Sequence, residues 1–164
     1  MTNILNNILI IAGVAVLFGA FTYNRFVTLK NRTREAWADI DVQLKRRYDL
    51  IPNLMETVKG YMTHEREVLE NVVKARSLAI SGGNISAQSK AEDALSGALK
   101  SLFALSENYP NLKANENFVE LQRELSDTEN KIQAARRFYN TNIRDFNTKI
   151  ESFPSNIIAG IFSF

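Results

Sequence analysis

The chain begins with an apolar segment and then changes to a mixed pattern of polar and apolar residues. No side chain in residues 2–24 is charged, and residues 8–21 are all apolar or glycine. A bilayer core of about 30 Å requires roughly 20 helical residues at about 1.5 Å each, a length that residues 4–23 supply. Residues 1–24 are predicted to be a transmembrane anchor rather than a cleaved signal peptide, because they lack a basic n-region and a small-x-small cleavage site.

Beyond residue 24 the apolar residues recur at helical spacing. In residues 24–62 two stripes repeat every seven residues, and they consist of Trp37, Leu44, Ile51 and Val58, and of Ile40, Arg47, Leu54 and Tyr61. Arg47 is the one charged member of these stripes. Because the pattern keeps its phase across Pro52, this proline is predicted to kink the helix on the face away from the core rather than to end it.

Three further helices are predicted from capping residues and apolar faces. Their predicted caps and faces are Thr63 with Val68, Leu69, Val72 and Leu78; Ser86 with Leu95, Leu99, Leu102 and Leu105; and Asn115 with Phe118, Leu125, Ile132, Tyr139, Phe146 and Phe153. No alternation typical of strands appears. The pattern predicts an all-α protein in which a transmembrane helix precedes an antiparallel up-down four-helix bundle with two long and two short helices, in residues 25–153.

Short loops between antiparallel helices should return the end of the fourth helix, at Pro154, to the membrane. The uncharged apolar tail, residues 154–164, is therefore expected to contact lipid or the anchor helix, with a disordered chain end as the alternative. Near the membrane only the two long helices are present to cover each other. An exposed apolar strip is predicted there as a self-association or partner surface, formed by Trp37, Ile40, Tyr139, Ile143 and Phe146.

Four cations follow the anchor before the first acid, Glu35: they are Arg25, Lys30, Arg32 and Arg34. Cytoplasmic flanks of membrane helices carry such an excess of Lys and Arg. The protein is therefore expected in the cell membrane as a single-pass protein with its N-terminus outside and its bundle in the cytoplasm. The four cations are expected to contact anionic lipid headgroups and not nucleic acid, because the aromatic residues that would stack on bases lie on the core stripes.

The order of charges on the two long helices predicts ion pairs between them. If these helices are antiparallel, Asp41 should pair with Arg136 or Arg137, and Arg46 or Arg47 should pair with Glu129. Exposed pairs of this kind are worth only about 0–1 kcal/mol. A role in fixing the alignment of the helices is favoured over ligand binding, because a polar residue on a core stripe costs stability but penalises wrong alignments.

The residues available for catalysis are few. His64 is the only histidine and there is no cysteine, so His or Cys metal sites and nucleophilic triads are excluded by count. No glycine-rich phosphate loop or dinucleotide fingerprint occurs. The sequence therefore predicts that the protein is not an enzyme and binds no cofactor, and a hydrolase or metal-dependent enzyme is the disfavoured alternative.

Two long segments carry a family resemblance: "YNRFVTLKNRTREAWADIDVQLKRRYDLIPNLMETVKGYMTHE" and "NYPNLKANENFVELQRELSDTENKIQAARRFYNTNIRDFNTKIESFPSNIIAGIF". They closely resemble the LemA family of bacterial membrane-anchored proteins. The resemblance implies an N-terminal membrane helix, an outside N-terminus and a cytoplasmic antiparallel helical bundle, but no catalytic or binding residue. Some members are associated with magnetosome membranes, which implies by analogy a role in organising or shaping membrane.

The function hypothesis is a non-enzymatic, membrane-anchored scaffold that contacts lipid, forms homo-oligomers and organises or shapes the membrane. The alternative is an adaptor of similar architecture that binds another membrane protein, such as a protease or a sensor. The two hypotheses differ in what covers the apolar strip: a second copy of the chain or a different protein.

Overall fold

The computed structural model describes residues 2–164, and all regular structure within them is α-helical. Six helices follow one another, α1 (Thr2–Lys59), α2 (Arg66–Ser81), α3 (Ile85–Ser106), α4 (Pro110–Lys113), α5 (Glu116–Glu151) and α6 (Ser155–Phe162). No strand occurs in this part of the chain. The prediction of an all-α protein is therefore confirmed.

Pro52 lies inside α1 on its exposed face, and the helix continues past it, as the phase of the apolar pattern predicted. A proline has no N–H to donate to the carbonyl four residues earlier, which here belongs to Tyr48. The Nε of Arg76 in α2 donates a hydrogen bond of 2.8 Å to this carbonyl. A bond from a neighbouring helix thus satisfies the acceptor that Pro52 leaves open.

Of the three predicted helix caps, one is confirmed and two are wrong. Asn115 caps α5, since its Oδ1 accepts a hydrogen bond of 3.0 Å from the N–H of Phe118. The residue before α2 is Glu65 and not Thr63. Before α3 the cap is Asn84 and not Ser86, because Gly82 and Gly83 complete the turn with φ values of 69° and 151°, and Asn84 is then free to accept from the N–H of Ala87 at 2.8 Å.

The chain forms two compact units, and the division falls inside the predicted bundle of residues 25–153. Unit 1 comprises Met1–Asp41 and Gln133–Phe164, and unit 2 comprises Val42–Ile132. The apolar core of unit 2 takes residues from five helices, including Ile51, Leu54 and Val58 of α1, Val72, Ala75 and Ala79 of α2, Leu95, Leu99 and Leu102 of α3, Leu112 of α4, and Phe118 and Leu125 of α5.

Most of the predicted core stripe residues in unit 2 are buried, but Leu78 is 53% exposed and Tyr61, beyond the end of α1, is 38% exposed. The buried face of α2 instead follows Val72, Ala75 and Ala79, which are three and four residues apart. Leu78 directly precedes Ala79 in the sequence, so its side chain lies about 100° around the helix from the buried face. The small alanine side chains at this face let α2 approach its neighbours closely.

In unit 1 the buried residues lie where α1, α5 and α6 meet. They are Thr22, Phe26, Leu29, Ala36 and Ile40 of α1, Asn142 of α5, and Ser155 and Ala159 of α6. Phe153, which the sequence analysis placed on the apolar face of the fourth helix, is 79% exposed. It lies beyond the end of α5 at Glu151, so the helical periodicity no longer applies to it.

Candidate functional site

Unit 2 holds an arginine in its core. Arg47 is 1% exposed, and it occupies the position on the apolar stripe of α1 that its heptad spacing predicted. Its Nη1 donates to Oε2 of Glu129 at 2.5 Å and to Oγ of Ser96 at 2.8 Å, and its Nη2 donates to Oε2 of Glu92. The pair expected between Arg46 or Arg47 and Glu129 is therefore formed by Arg47. The role of this pair in alignment stays a prediction.

Glu92 is also 1% exposed, and its second oxygen is satisfied by two neutral donors. Oε1 accepts from the hydroxyl of Tyr48 and from Nε2 of Gln88, the latter at 2.6 Å. Nε2 of Gln88 also donates to the carbonyl of Ala79 in α2 at 3.0 Å. We call Arg47, Tyr48, Gln88, Glu92, Ser96 and Glu129 the buried ion cluster, and it joins α1, α2, α3 and α5 within unit 2.

The buried ion cluster places one positive charge between two negative ones. The side chain of Glu129 is 33% exposed, so water solvates part of its charge, whereas Glu92 depends on Arg47 and on its two neutral donors. A buried carboxylate without such partners costs several kcal/mol. The Nε of Arg47 is buried without a hydrogen-bond partner, which is a further cost. The cluster is therefore weak evidence for stability and fits a role in aligning the helices.

Burial, the hydrogen bond to Glu92 and the charge of Glu92 raise the pKa of Tyr48 well above the ordinary tyrosine value of 10.0, against smaller lowering effects of Arg47 and Gln88. Because the folded pKa is raised, the stability that Tyr48 contributes is present below pH 10 and is lost as pH rises through the folded pKa. We expect the last step of tyrosinate absorbance in the folded protein to belong to Tyr48, beyond that of Tyr109, whose pKa is also raised by burial and by Glu65. Tyr48→Phe should remove this last step and Tyr109→Phe should keep it; survival of the step in Tyr48→Phe would contradict the assignment.

The other charges predicted to align the helices lie at the surface. Arg46 is within 4.0 Å of Glu124 and not of Glu129, and both side chains are largely solvated. Asp41 is exposed, and its pairing with Arg136 or Arg137 stays a prediction. Water solvates an exposed carboxylate well, so little free energy is available to hold such a pair together.

Glu92, Gln88 and Ser96 were not predicted from the sequence. Glu92 precedes Leu95 by three residues and Leu99 by seven, so it lies on the apolar stripe of α3. A charged residue on that stripe was a signal that it faces another charge, because an unpaired charge in a core is costly. The charged member of the α1 stripe, Arg47, was the matching signal.

Among residues 2–164, α1 is the one helix that is long and apolar enough to cross a membrane, and its apolar part lies at its start. Its large apolar side chains between residues 4 and 21 are all exposed. The four cations that follow, Arg25, Lys30, Arg32 and Arg34, are exposed as well. They are available to lipid headgroups, and that contact stays a prediction.

The structure removes one residue from the predicted self-association surface. Ile40 is only 4% exposed, because it lies on the side of α1 that is covered within unit 1, so it is not part of an exposed strip. The other four residues, Trp37, Tyr139, Ile143 and Phe146, are half-buried. Trp37 packs edge to face against Tyr139, with ring centroids 5.3 Å apart.

The apolar tail forms a helix, α6, that packs against α1. The ring of Phe162 is 4.8 Å from that of Tyr23, and the ring of Phe164 is 4.9 Å from that of Phe26. The Nζ of Lys30 lies 5.7 Å from the Phe164 ring centroid, a cation–π contact. Of the expected partners of the tail, contact with the anchor helix is thus confirmed.

Comparison with known proteins shows the family of the chain. Residues 36–164 match the model of the LemA family. The chain belongs to the LemA family. The matched region contains Arg47, Glu92 and Glu129, and it also includes α6, so both the buried ion cluster and the tail that packs on α1 lie within the LemA part of the chain.

Individual relatives are similar over most of this LemA chain. Protein LemA of Metamycoplasma hominis is 31% identical over 141 residues, which cover 83% of this chain and 63% of the relative. Magnetosome protein MamQ 2 of Paramagnetospirillum magneticum is 23% identical over 181 residues, or 94% of this chain and 66% of the relative. Magnetosome protein MamQ of Magnetospirillum gryphiswaldense is 21% identical over 168 residues, or 87% and 62%. The chain spans less than two thirds of the length of each of these relatives.

Proposed function

We propose that this LemA protein is a non-enzymatic, single-pass membrane scaffold whose copies associate through the membrane-proximal parts of α1 and α5. The assembly organises or shapes the membrane. The N-terminus lies outside the cell and the helical bundle lies in the cytoplasm, where the exposed Arg25, Lys30, Arg32 and Arg34 contact anionic headgroups. The similarity to proteins named as magnetosome proteins supports the membrane-organising part of the proposal.

The observation that carries the proposal is the uneven burial within unit 1. Where α1 and α5 contact each other, Ala36, Ile40 and Asn142 are buried. Beside this contact Trp37 and Ile143 remain half-buried. Two helices bury only the residues along their shared contact, whereas four helices also cover the flanking positions. A second copy placed against Trp37 and Ile143 supplies this cover.

For unit 2 we propose an antiparallel up-down four-helix bundle of α1, α2, α3 and α5. The buried ion cluster supports this arrangement, since hydrogen bonds from one set of side chains reach all four helices. In the proposed scaffold the cluster holds the helices in one alignment. A uniquely aligned bundle gives every copy the same surface, which a regular assembly requires.

Self-association is tested by the mass of the full-length protein in detergent, beside a second protein that begins at Asn24. We expect a mass of two or more chains for the full-length protein. Trp37→Ser combined with Ile143→Ser should shift it toward the monomer, because both changes place a hydroxyl where apolar contact is required. Val42→Ser is the matched control: Val42 is 62% exposed and outside the proposed surface, so the mass should not change.

Strictly monomeric behaviour of both proteins would overturn the scaffold proposal. If the full-length protein is monomeric alone but gains mass with another membrane protein, and the double variant loses that gain, the adaptor function replaces it. Circular dichroism of the double variant must match that of the unaltered protein, so that a loss of mass reports a lost contact and not unfolding.

A further inference from the structure

We infer that α6 and the turn before it insert into one leaflet of the membrane beside α1, with the outer face of α6 against lipid acyl chains. This inference rests on the membrane anchoring in the proposed function and not on self-association. It adds a second membrane-inserted element beside α1, the one helix among residues 2–164 that is both long and apolar enough to cross a bilayer.

The helix α6 meets α1 on the membrane side of the first charged residue of α1. A Cβ built on Gly19 would lie 3.8 Å from Cδ1 of Ile158, and Phe162 and Phe164 contact Tyr23 and Phe26 in the same order along α1. Gly19 precedes Arg25, the first charged residue of α1, by six residues. At about 1.5 Å per residue, Ile158 therefore lies about 9 Å to the membrane side of Arg25. Interfacial helices bury their apolar faces to about 5–10 Å.

The helix α6 has a buried and an exposed face. Ser155 and Ala159, four residues apart, are buried. Its large apolar side chains Ile157, Ile161 and Phe162 are 54–67% exposed, and Phe153 in the turn before it is 79% exposed. No residue from 152 to 164 is charged. Gly19, which lies beside Ile158 of α6, stands between the exposed apolar residues Phe18 and Phe21 in the sequence of α1, so the solvent that covers this part of the anchor covers α6 as well.

The turn between α5 and α6 forms hydrogen bonds within the protein. Non-helical backbone is tolerated at membrane depth only where its polar groups find partners within the protein. The hydroxyl of Ser155 donates to the carbonyls of Lys149 and Ser152 at 2.7 and 2.9 Å. The N–H of Asn156 donates to the carbonyl of Ser152 at 2.8 Å. At the far end the N–H of Phe164 donates to the carbonyl of Ala159 at 3.1 Å.

The length of α6 decides how it sits in the membrane. Its eight residues rise about 12 Å, against a bilayer core of about 30 Å, so α6 cannot cross the membrane. It therefore occupies part of one leaflet, with Lys30 beside Phe164 at its headgroup end. Helix volume added to one leaflet alone expands that leaflet, which gives the proposed membrane-shaping role a physical basis.

The test uses the absence of cysteine from the chain. Single variants Ile157→Cys, Ile161→Cys and Ser163→Cys of the full-length protein carry an environment-sensitive fluorophore, in phospholipid vesicles whose acyl chains are brominated at a shallow or a deep position. Bromine should quench the labels at 157 and 161. The deep position should act more strongly on 157 than on 161, because the two differ by four residues and about 6 Å in depth. The label at 163 should respond to the shallow position only.

Val16→Cys in the anchor is the positive control, and Thr141→Cys on the exposed face of α5 is the control for a label in water. If Val16 is quenched while 157 and 161 respond only to aqueous iodide, as 141 should, the inference is overturned and the anchoring remains. If Val16 is not quenched either, the anchoring fails together with the inference. Labels at 157 and 161 that neither iodide nor brominated lipid reaches would indicate a protein contact over α6, which also overturns it.

Discussion

Replacing Arg47 by Met should lower the free energy of unfolding by about 3–5 kcal/mol, because it leaves Glu92 as a buried carboxylate without a counter-charge. Glu92 is 1% exposed and retains only the hydroxyl of Tyr48 and the amide of Gln88 as donors. Glu129 is less affected, since its partly exposed carboxylate returns to water. The measurement is urea unfolding of the full-length protein in nonionic detergent, followed by circular dichroism.

Arg46→Met is the matched control. Arg46 is the preceding residue of the same helix, but its side chain is exposed and lies as far as 4.0 Å from the carboxylate of Glu124. Its loss should therefore lower the free energy of unfolding by no more than about 1 kcal/mol. A second variant combines Arg47→Met with Glu92→Leu. It should recover most of the lost stability, because apolar residues that replace a whole buried ion pair are often neutral or stabilising. A cost for Arg47→Met no greater than that of Arg46→Met would contradict this prediction.

The double variant also separates stability from alignment. If Arg47 and Glu92 serve only to satisfy each other, the stable double variant should keep the mass of the unaltered protein in detergent. If the cluster fixes the alignment of unit 2, the double variant should be stable but form mixed assemblies, because apolar side chains accept several alignments. An unchanged mass would remove the alignment hypothesis and leave the fold of unit 2 intact.

The burial of Arg47 could be predicted from the sequence, whereas its buried partner Glu92 could not. The heptad phase of α1 fixes which of its faces is buried, so Arg47 had to lie in the core and need a counter-charge. Residue spacing along two long helices then brought Glu129 near it. Glu92 belongs to a third helix, whose position around α1 depends on side-chain packing in unit 2 and not on any period in the sequence.

A helix cap was predicted correctly where the sequence offered a single capping residue next to the helix. Asn115 is followed at once by the helix it caps. Between α2 and α3 several polar residues were available as caps, and the backbone of Gly82 and Gly83 selected Asn84 over Ser86. The continuation of α1 through Pro52 followed from the apolar phase, but the hydrogen bond from Arg76 that compensates it required the position of α2.

The second large effect is expected at Phe26, which is fully buried between two other aromatic rings of unit 1. The Phe146 ring is 6.3 Å away and edge-on, and the Phe164 ring is 4.9 Å away and stacked. Phe26→Ala removes both contacts and leaves a cavity, for which about 3–5 kcal/mol is typical. Emission of the single tryptophan, Trp37 of unit 1, during urea unfolding in detergent should report this loss.

Phe21→Ala is the control, since Phe21 is 75% exposed on the anchor and is therefore little covered within the chain. Phe164→Ala separates the two contacts of Phe26: it should loosen the end of α6 from α1, where Phe162 still contacts Tyr23, and keep the packing of Phe146. Protease digestion of the C-terminal tail in detergent should therefore be faster for Phe26→Ala and Phe164→Ala than for Phe21→Ala. In vesicles the tail of Phe164→Ala should again be protected from the protease, because the outer face of α6 still binds lipid. If the tail is digested equally fast in detergent and in vesicles, contact with α1 alone holds α6 in place.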